Sequence, residues 1–96
     1  MAEYILSNAA EEDVRAIYRY SVEGFGEVRA SAYLQSLDEC LLMLADNPEV
    51  GKDVSHVRLD YYQFSHDSHE VFYKKDEEGI YVVRILHGSM DRVRHL

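Results

Sequence analysis

The chain has 96 residues, and its 18 Asp and Glu against 10 Lys and Arg give a formal charge of −8 at neutral pH. A chain of this length forms one domain, residues 1–96, which buries about 60–68% of the surface its unfolded form exposes. A hydrophobic fraction of 47%, with eight Tyr and a single Pro, excludes a disordered or low-complexity polymer. Net acidity argues against direct nucleic-acid binding by the isolated chain, because that affinity comes from Lys and Arg displacing counterions. The longest apolar run, Cys40 to Ala45, is far short of a membrane span, and Glu3 stands where a signal peptide would be basic. A cytoplasmic protein is expected, and the single Cys40 cannot form an internal disulfide.

The apolar start Tyr4-Ile5-Leu6 reads as a short strand. Asn8 with Glu11 three residues later resembles a capping box, and Glu11-Glu12-Asp13 place acids where a helix begins. Ala10, Val14, Ile17, Tyr18 and Ser21 then recur at spacings of three and four until Gly24-Phe25-Gly26, which predicts a first helix over about Asn8–Glu23. A second stripe runs from Glu27 through Ala30, Tyr33, Leu34, Leu37, Cys40, Leu41 and Leu44 to the stop at Asn47-Pro48. Two amphipathic helices joined by a few glycine-containing residues form an antiparallel hairpin.

Three strands follow at Tyr61–His66, His69–Lys75 and Ile80–Leu86, rich in aromatic and β-branched residues and separated by Asp67-Ser68 and Asp76-Glu77-Glu78-Gly79. The expected order is βααβββ, an α+β fold with the helical hairpin packed on an antiparallel sheet and a short C-terminal helix or tail over Gly88–Leu96. In the last strand Ile80, Val82, Arg84 and Leu86 alternate with Tyr81, Val83, Ile85 and His87, so both faces are largely apolar. A half-solvated antiparallel strand should show one polar face, so something is expected to cover the second one, either the C-terminal segment or another protein. Charge is uneven as well: residues 1–49 carry ten acids and three bases, whereas residues 79–96 carry Arg84, Arg92 and Arg94 against Asp91 alone.

Few residues are arranged for chemistry. His66 and His69 could share a metal ion with Asp67, but no fourth ligand stands at a recognisable spacing, so no metal or other cofactor is expected. His87, Ser89 and Asp91 are triad residue types without the shaped turn and oriented base that a nucleophile needs. Cys40 lies on the apolar stripe of the second helix, where a thiol is a small core hydrophobe. Arg84 on an apolar strand is either satisfied by a carboxylate or presented to a partner.

Val83-Arg84-Ile85-Leu86-His87-Gly88-Ser89-Met90-Asp91 resembles the C-terminal signature of ParE-type toxins in the RelE/ParE superfamily, R-[IV]-L-H-x-x-M-D. The likeness extends to Arg58 with Tyr61, to Ser68-His69 with Val71-Phe72-Tyr73, to Asn47-Pro48 with Gly51, and to Tyr4–Leu6 with Ala9-Ala10. The sequence departs from it at Asp60 and Asp67, which stand where the R-x-G-Y-[RK] and G-S-H elements carry glycine, and at Tyr62-Gln63, where the first element carries a basic residue.

The resemblance implies a non-enzymatic toxin of a type II toxin–antitoxin pair, inhibiting DNA gyrase and neutralised by a ParD-like antitoxin that wraps it. It implies a target-facing C-terminal segment, Arg84, His87, Ser89, Met90, Asp91 and Arg92. Arg58, Tyr61, His69 and Tyr73 would shape the sheet surface. Ile17, Tyr18, Tyr33, Leu37, Leu41 and Leu44 are candidates for antitoxin contact or, equally, for the core. Two alternatives stay open: a RelE-like ribosome-dependent mRNA endonuclease, which shares the fold, and a detoxified homologue that only binds antitoxin.

Overall fold

The computed structural model describes residues 2–96 and contains strand β1 (Glu3–Leu6), helices α1 (Asn8–Phe25) and α2 (Glu27–Asp46), and a 3-10 turn at Pro48–Val50. Strands β2 (Lys52–Asp53), β3 (Tyr62–His66), β4 (His69–Asp76) and β5 (Gly79–His87) follow, and helix α3 (Arg92–His95) ends the chain. The sheet order is β1-β5-β4-β3-β2, with β1 parallel to β5 and every other pair antiparallel. The expected βααβββ arrangement is present, and C-terminal order takes the form of a short helix.

The helical hairpin turns on Gly26, whose φ of 89° lies in the left-handed region that favours glycine. Its N–H donates to the Val22 carbonyl at 2.9 Å and its own carbonyl accepts from Ala30, so one residue ends α1 and starts α2. The N-cap of α1 is Ser7 and not Asn8: its Oγ accepts from the Ala10 N–H at 3.0 Å. The same hydroxyl donates to the Val83 carbonyl at 2.7 Å, which ties the start of the helix to β5.

Ala10 and Ile17 of α1, Leu37, Cys40, Leu41, Leu44 and Ala45 of α2, and Val71, Tyr73, Ile80, Val82 and Ile85 of the sheet form the main core. Tyr73 is fully buried because its hydroxyl has partners, donating to the Pro48 carbonyl at 2.6 Å and accepting from Gly51 N–H at 3.0 Å. A smaller core of Val54, Phe72 and Leu86 lies on the other face, with Val57, Tyr61 and Leu96 packed against it. The loop between β2 and β3 and the C-terminal residue therefore cover part of the face expected to need a cover.

A β-bulge resolves the two apolar faces of β5. Phe72 pairs with Arg84 but Tyr73 pairs with Val82, so Val83 is an extra residue and the alternation changes phase there. Ile80 and Val82 point to the helices before the bulge, and Ile85 does so after it. Strict alternation places these three on opposite faces, which is why the strand reads as apolar on both.

Asp60 and Asp67 both hold positive φ, 67° and 51°. These are the two places where the resembled motifs carry glycine, so the departures keep the required backbone at a modest conformational cost. Gly79 is stricter: its φ is 154°, and a Cβ there would collide with the backbone of Glu3 on the neighbouring β1. Asp60→Gly is expected to leave stability unchanged or raise it by up to about 1 kcal/mol, whereas Gly79→Ala should lower it by roughly 2–3 kcal/mol and expose the β1 amides. Urea unfolding with amide hydrogen exchange measures both effects.

Candidate partner-binding surfaces

β1 covers only Gly79–Val82 of β5, so the second half of β5 has an open edge. Asp13, in the second turn of α1, closes it. One carboxylate oxygen accepts from the Ile85 backbone N–H at 2.9 Å and from Arg84 Nε at 2.8 Å, and the other accepts from Arg84 Nη2 at 2.9 Å. Arg84 shares the outer face with its register partner Phe72, and its side chain reaches round this edge to α1. Its remaining nitrogen donates to the His95 carbonyl at 3.2 Å. Arg84, expected in the target-facing group, is thus the satisfied arginine of the two readings that the sequence left open, and Asp13 is the carboxylate.

Arg58 and Arg92 are also engaged, whereas Arg94 is exposed. Arg58 donates to the Leu96 main-chain oxygen at 2.8 Å, and Arg92 donates to the Gln63 amide oxygen at 2.6 Å. Gln63 passes its own N–H to Glu70, which also accepts from Ser65. Arg92, Gln63 and Glu70 line a cavity of about 310 Å³ on the outer face, floored by Phe72 and Leu86 and rimmed by His87, Met90 and Asp91. Asp91 is the N-cap of α3, its carboxylate accepting from Val93 N–H at 3.0 Å. It does not orient His87, whose Nδ1 is bonded to Ser89. The three triad residue types therefore form no relay. Met90 and Val93 stand out into solvent, 48% and 69% exposed.

Among the sheet-surface candidates, Tyr61 is half-buried in the smaller core, Tyr73 is internal, Arg58 is exposed, and His69 is half-buried with its Nδ1 2.7 Å from the Tyr33 hydroxyl. Among the residues named for the antitoxin, Ile17, Leu37, Leu41 and Leu44 are core side chains. Tyr18 and Tyr33 remain half-buried. Burial pushes the Tyr33 hydroxyl up to about 12, assisted by the charge of Asp67. Cys40 is buried, and loss of hydration raises its thiol above the usual range, with Asp67 adding to the effect. It is packing material.

Part of the exposed apolar surface lies on the helical hairpin. Tyr20, Phe25 and Val28 are exposed near the hairpin tip, and Leu42 farther along α2. Their neighbours are acidic more often than basic, with Glu23, Glu27 and Glu39 exposed against Arg19 and Arg29. Sequence reasoning did not single out Tyr20, Phe25 or Val28, since they fall off the apolar stripe. It also missed Asp13, whose role needs the bulge and the short β1 to be known first.

Replacing Asp13 by Asn leaves the half-buried guanidinium without its counter-charge and should lower stability by about 1–3 kcal/mol, while Asp13→Asn with Arg84→Met should recover part of that loss. Chemical denaturation of the two variants decides it.

Comparison with known proteins gives a consistent result. Residues 4–92 match the family model of the ParE toxin of type II toxin–antitoxin systems. Toxin ParE1 of Mycobacterium tuberculosis is 35% identical over 96 residues, 99% of this chain and 98% of that protein. Toxin ParE1 of Caulobacter vibrioides is 32% identical, covering 100% and 99%. Toxin ParE of Escherichia coli is 32% identical over 97 residues, covering 100% and 94%. A solved chain described as the chromosomal ParDE TA system from P. aeruginosa superposes with a TM-score of 0.75 at 17% identity, over 91% of this chain and 96% of that one. With a family match across nearly its whole length and relatives above 30% identity, this chain belongs to the ParE toxin family of type II toxin–antitoxin systems.

Proposed function

We propose that the chain inhibits DNA gyrase when free and is neutralised by a ParD-like antitoxin, acting by contact and not by catalysis. The observation that favours this over the mRNA-endonuclease reading is the state of its arginines. A phosphoryl-transfer site needs a cationic clamp free to meet developing charge. Here Arg84 is bound to Asp13, Arg58 to the Leu96 main-chain oxygen and Arg92 to Gln63, and the cavity that Arg92 borders also carries Glu70 and Asp91. The groups left for a target are Met90, Val93 and the exposed Arg94, a small mixed patch suited to a protein surface.

The antitoxin, in the same reading, lays an amphipathic segment over the exposed apolar residues of the helical hairpin, a groove-type recognition. Membership of a ParDE family supports such a partner, as does the superposition on a chain from a ParDE system.

Induced expression of the chain alone in a bacterial host with a DNA-damage reporter should give filamentation and reporter induction with protein synthesis intact. Translation arrest without the damage response would favour the endonuclease, and normal growth with folded protein present would favour the detoxified homologue. Deletion of Ser89–Leu96 is a poor second test, because Leu96 packs on the smaller core. Met90→Glu and Val93→Glu are better. They should abolish growth inhibition and keep antitoxin binding, with stability changed by less than about 0.5 kcal/mol, as for other exposed positions.

A further inference from the structure

Three histidines stand in one row across the sheet. His66 pairs with His69 in the β3–β4 register, and His69 pairs with His87 in the β4–β5 register, so all three side chains share a face. The His69 and His87 rings meet edge to face with centroids 5.7 Å apart, and Tyr33 packs against both His66 and His69 at 5.7 and 5.6 Å. One hydrogen bond of the row uses a ring nitrogen as acceptor. Ser89 N–H donates to His87 Nδ1 at 3.1 Å, and the Ser89 hydroxyl lies 2.8 Å from the same nitrogen, which therefore carries no proton. His66 Nε2 lies 3.1 Å from the Ser36 hydroxyl.

The row is also wired to the C-terminal segment. Gly88 N–H donates to the Ser68 carbonyl at 2.8 Å, joining the turn after β5 to the β3–β4 turn, and Met90 N–H donates to the His87 carbonyl at 2.9 Å. We propose that His66, His69 and His87 form an acid-sensitive latch: protonation of the row loosens the turn at Gly88–Asp91 and lets α3 leave the outer face of the sheet.

The charges around the row do not offset a second or third proton. Asp67, in the β3–β4 turn, lies 3.7 Å from His66 but is largely exposed to solvent. Asp13 of α1 is already bonded to Arg84 and Ile85. From α2 come Tyr33 and Cys40, both kept protonated by burial, so neither supplies an anion. Like charges directly opposite one another on neighbouring strands repel. A proton on His87 Nδ1 would also point at the Ser89 N–H and remove the acceptor that holds the turn. In keeping with this geometry, burial depresses the His69 pKa, with His87 and His66 depressing it further and Asp67 and Asp13 acting weakly the other way. Opening moves His87 away from His69 and relieves the repulsion between their protonated rings, so the open state binds more protons. The closed state is therefore fully favoured above the ordinary histidine pKa of about 6.5 and loses ground as pH falls through it.

The test is amide hydrogen exchange on the full chain at pH 7.5 and 5.5, corrected for the intrinsic rate. Protection of the Met90, Arg94, His95 and Leu96 amides should fall by at least about twofold in acid, while the α2 amides hold. His87→Asn keeps an acceptor for Ser89 N–H and cannot be charged. Combined with His69→Phe it should make tail protection independent of pH. Equal wild-type protection at both pH values, or an undiminished acid response in the double variant, would overturn the latch. Should that variant fail to fold, the wild-type imidazole resonances decide: three ordinary titrations with no movement of the α3 amides would also overturn it.

Discussion

The carboxylate of Asp13 is the contact on which the geometry of the outer half of the sheet depends. β1 is too short to pair with all of β5, and an uncovered strand edge presents backbone groups to whatever is near. Asp13 and Ser7 supply side-chain substitutes for the missing strand, one accepting from Ile85 N–H and the other donating to the Val83 carbonyl. Because both come from the start of α1, the helix cannot shift along the sheet without leaving part of that edge unsatisfied. Arg84 extends the same contact outward to the carbonyl of His95, so the position of α1, the bulge in β5 and the seating of the C-terminal helix are set together.

That arrangement changes the meaning of the charge distribution. The basic C-terminal region looked, in sequence, like a cationic surface on an acidic body. In the fold, Arg84 meets an acid from the N-terminal half, Arg58 meets the main-chain oxygen of Leu96 and Arg92 meets the Gln63 amide. These arginines act as fasteners for the last residues, and the guanidinium plane suits a bidentate carboxylate and backbone carbonyls alike. What remains on the helical hairpin is apolar surface among acids, which fits a protein partner with some basic character better than a nucleic acid.

Much of the fold was legible in the sequence because period and punctuation agree there. The stripe through Leu37, Leu41 and Leu44 and the glycines at 24 and 26 leave little choice about the helices, and the aromatic and β-branched runs mark β3, β4 and β5. The family signature at residues 83–91 was legible for the same reason, as a dense run of specific residues. The N-cap was misplaced by one residue because Ser7 and Asn8 are both good caps, and only the bond from Ala10 N–H separates them. β2 has two residues and no pattern to detect. The bulge at Val83 was hidden because a one-residue change of phase mimics a strand that is apolar on both faces. The partner-binding surfaces were the least legible: the stripe that marks a helix also marks its core, so the residues named from it were the ones most often found inside.

The parallel pairing of β1 with β5 has a consequence for how the molecule is made. Residues 3–6 find their partners only at residues 79–82, and Ser7 and Asp13 find theirs at residues 83–85. Such distant contacts close late and slow the search for the native topology. During synthesis the helical hairpin can form from local contacts, but its apolar seam has no sheet to rest on until β5 has emerged. The nascent chain therefore passes through a stage in which the hairpin is formed and the sheet face of the toxin does not yet exist.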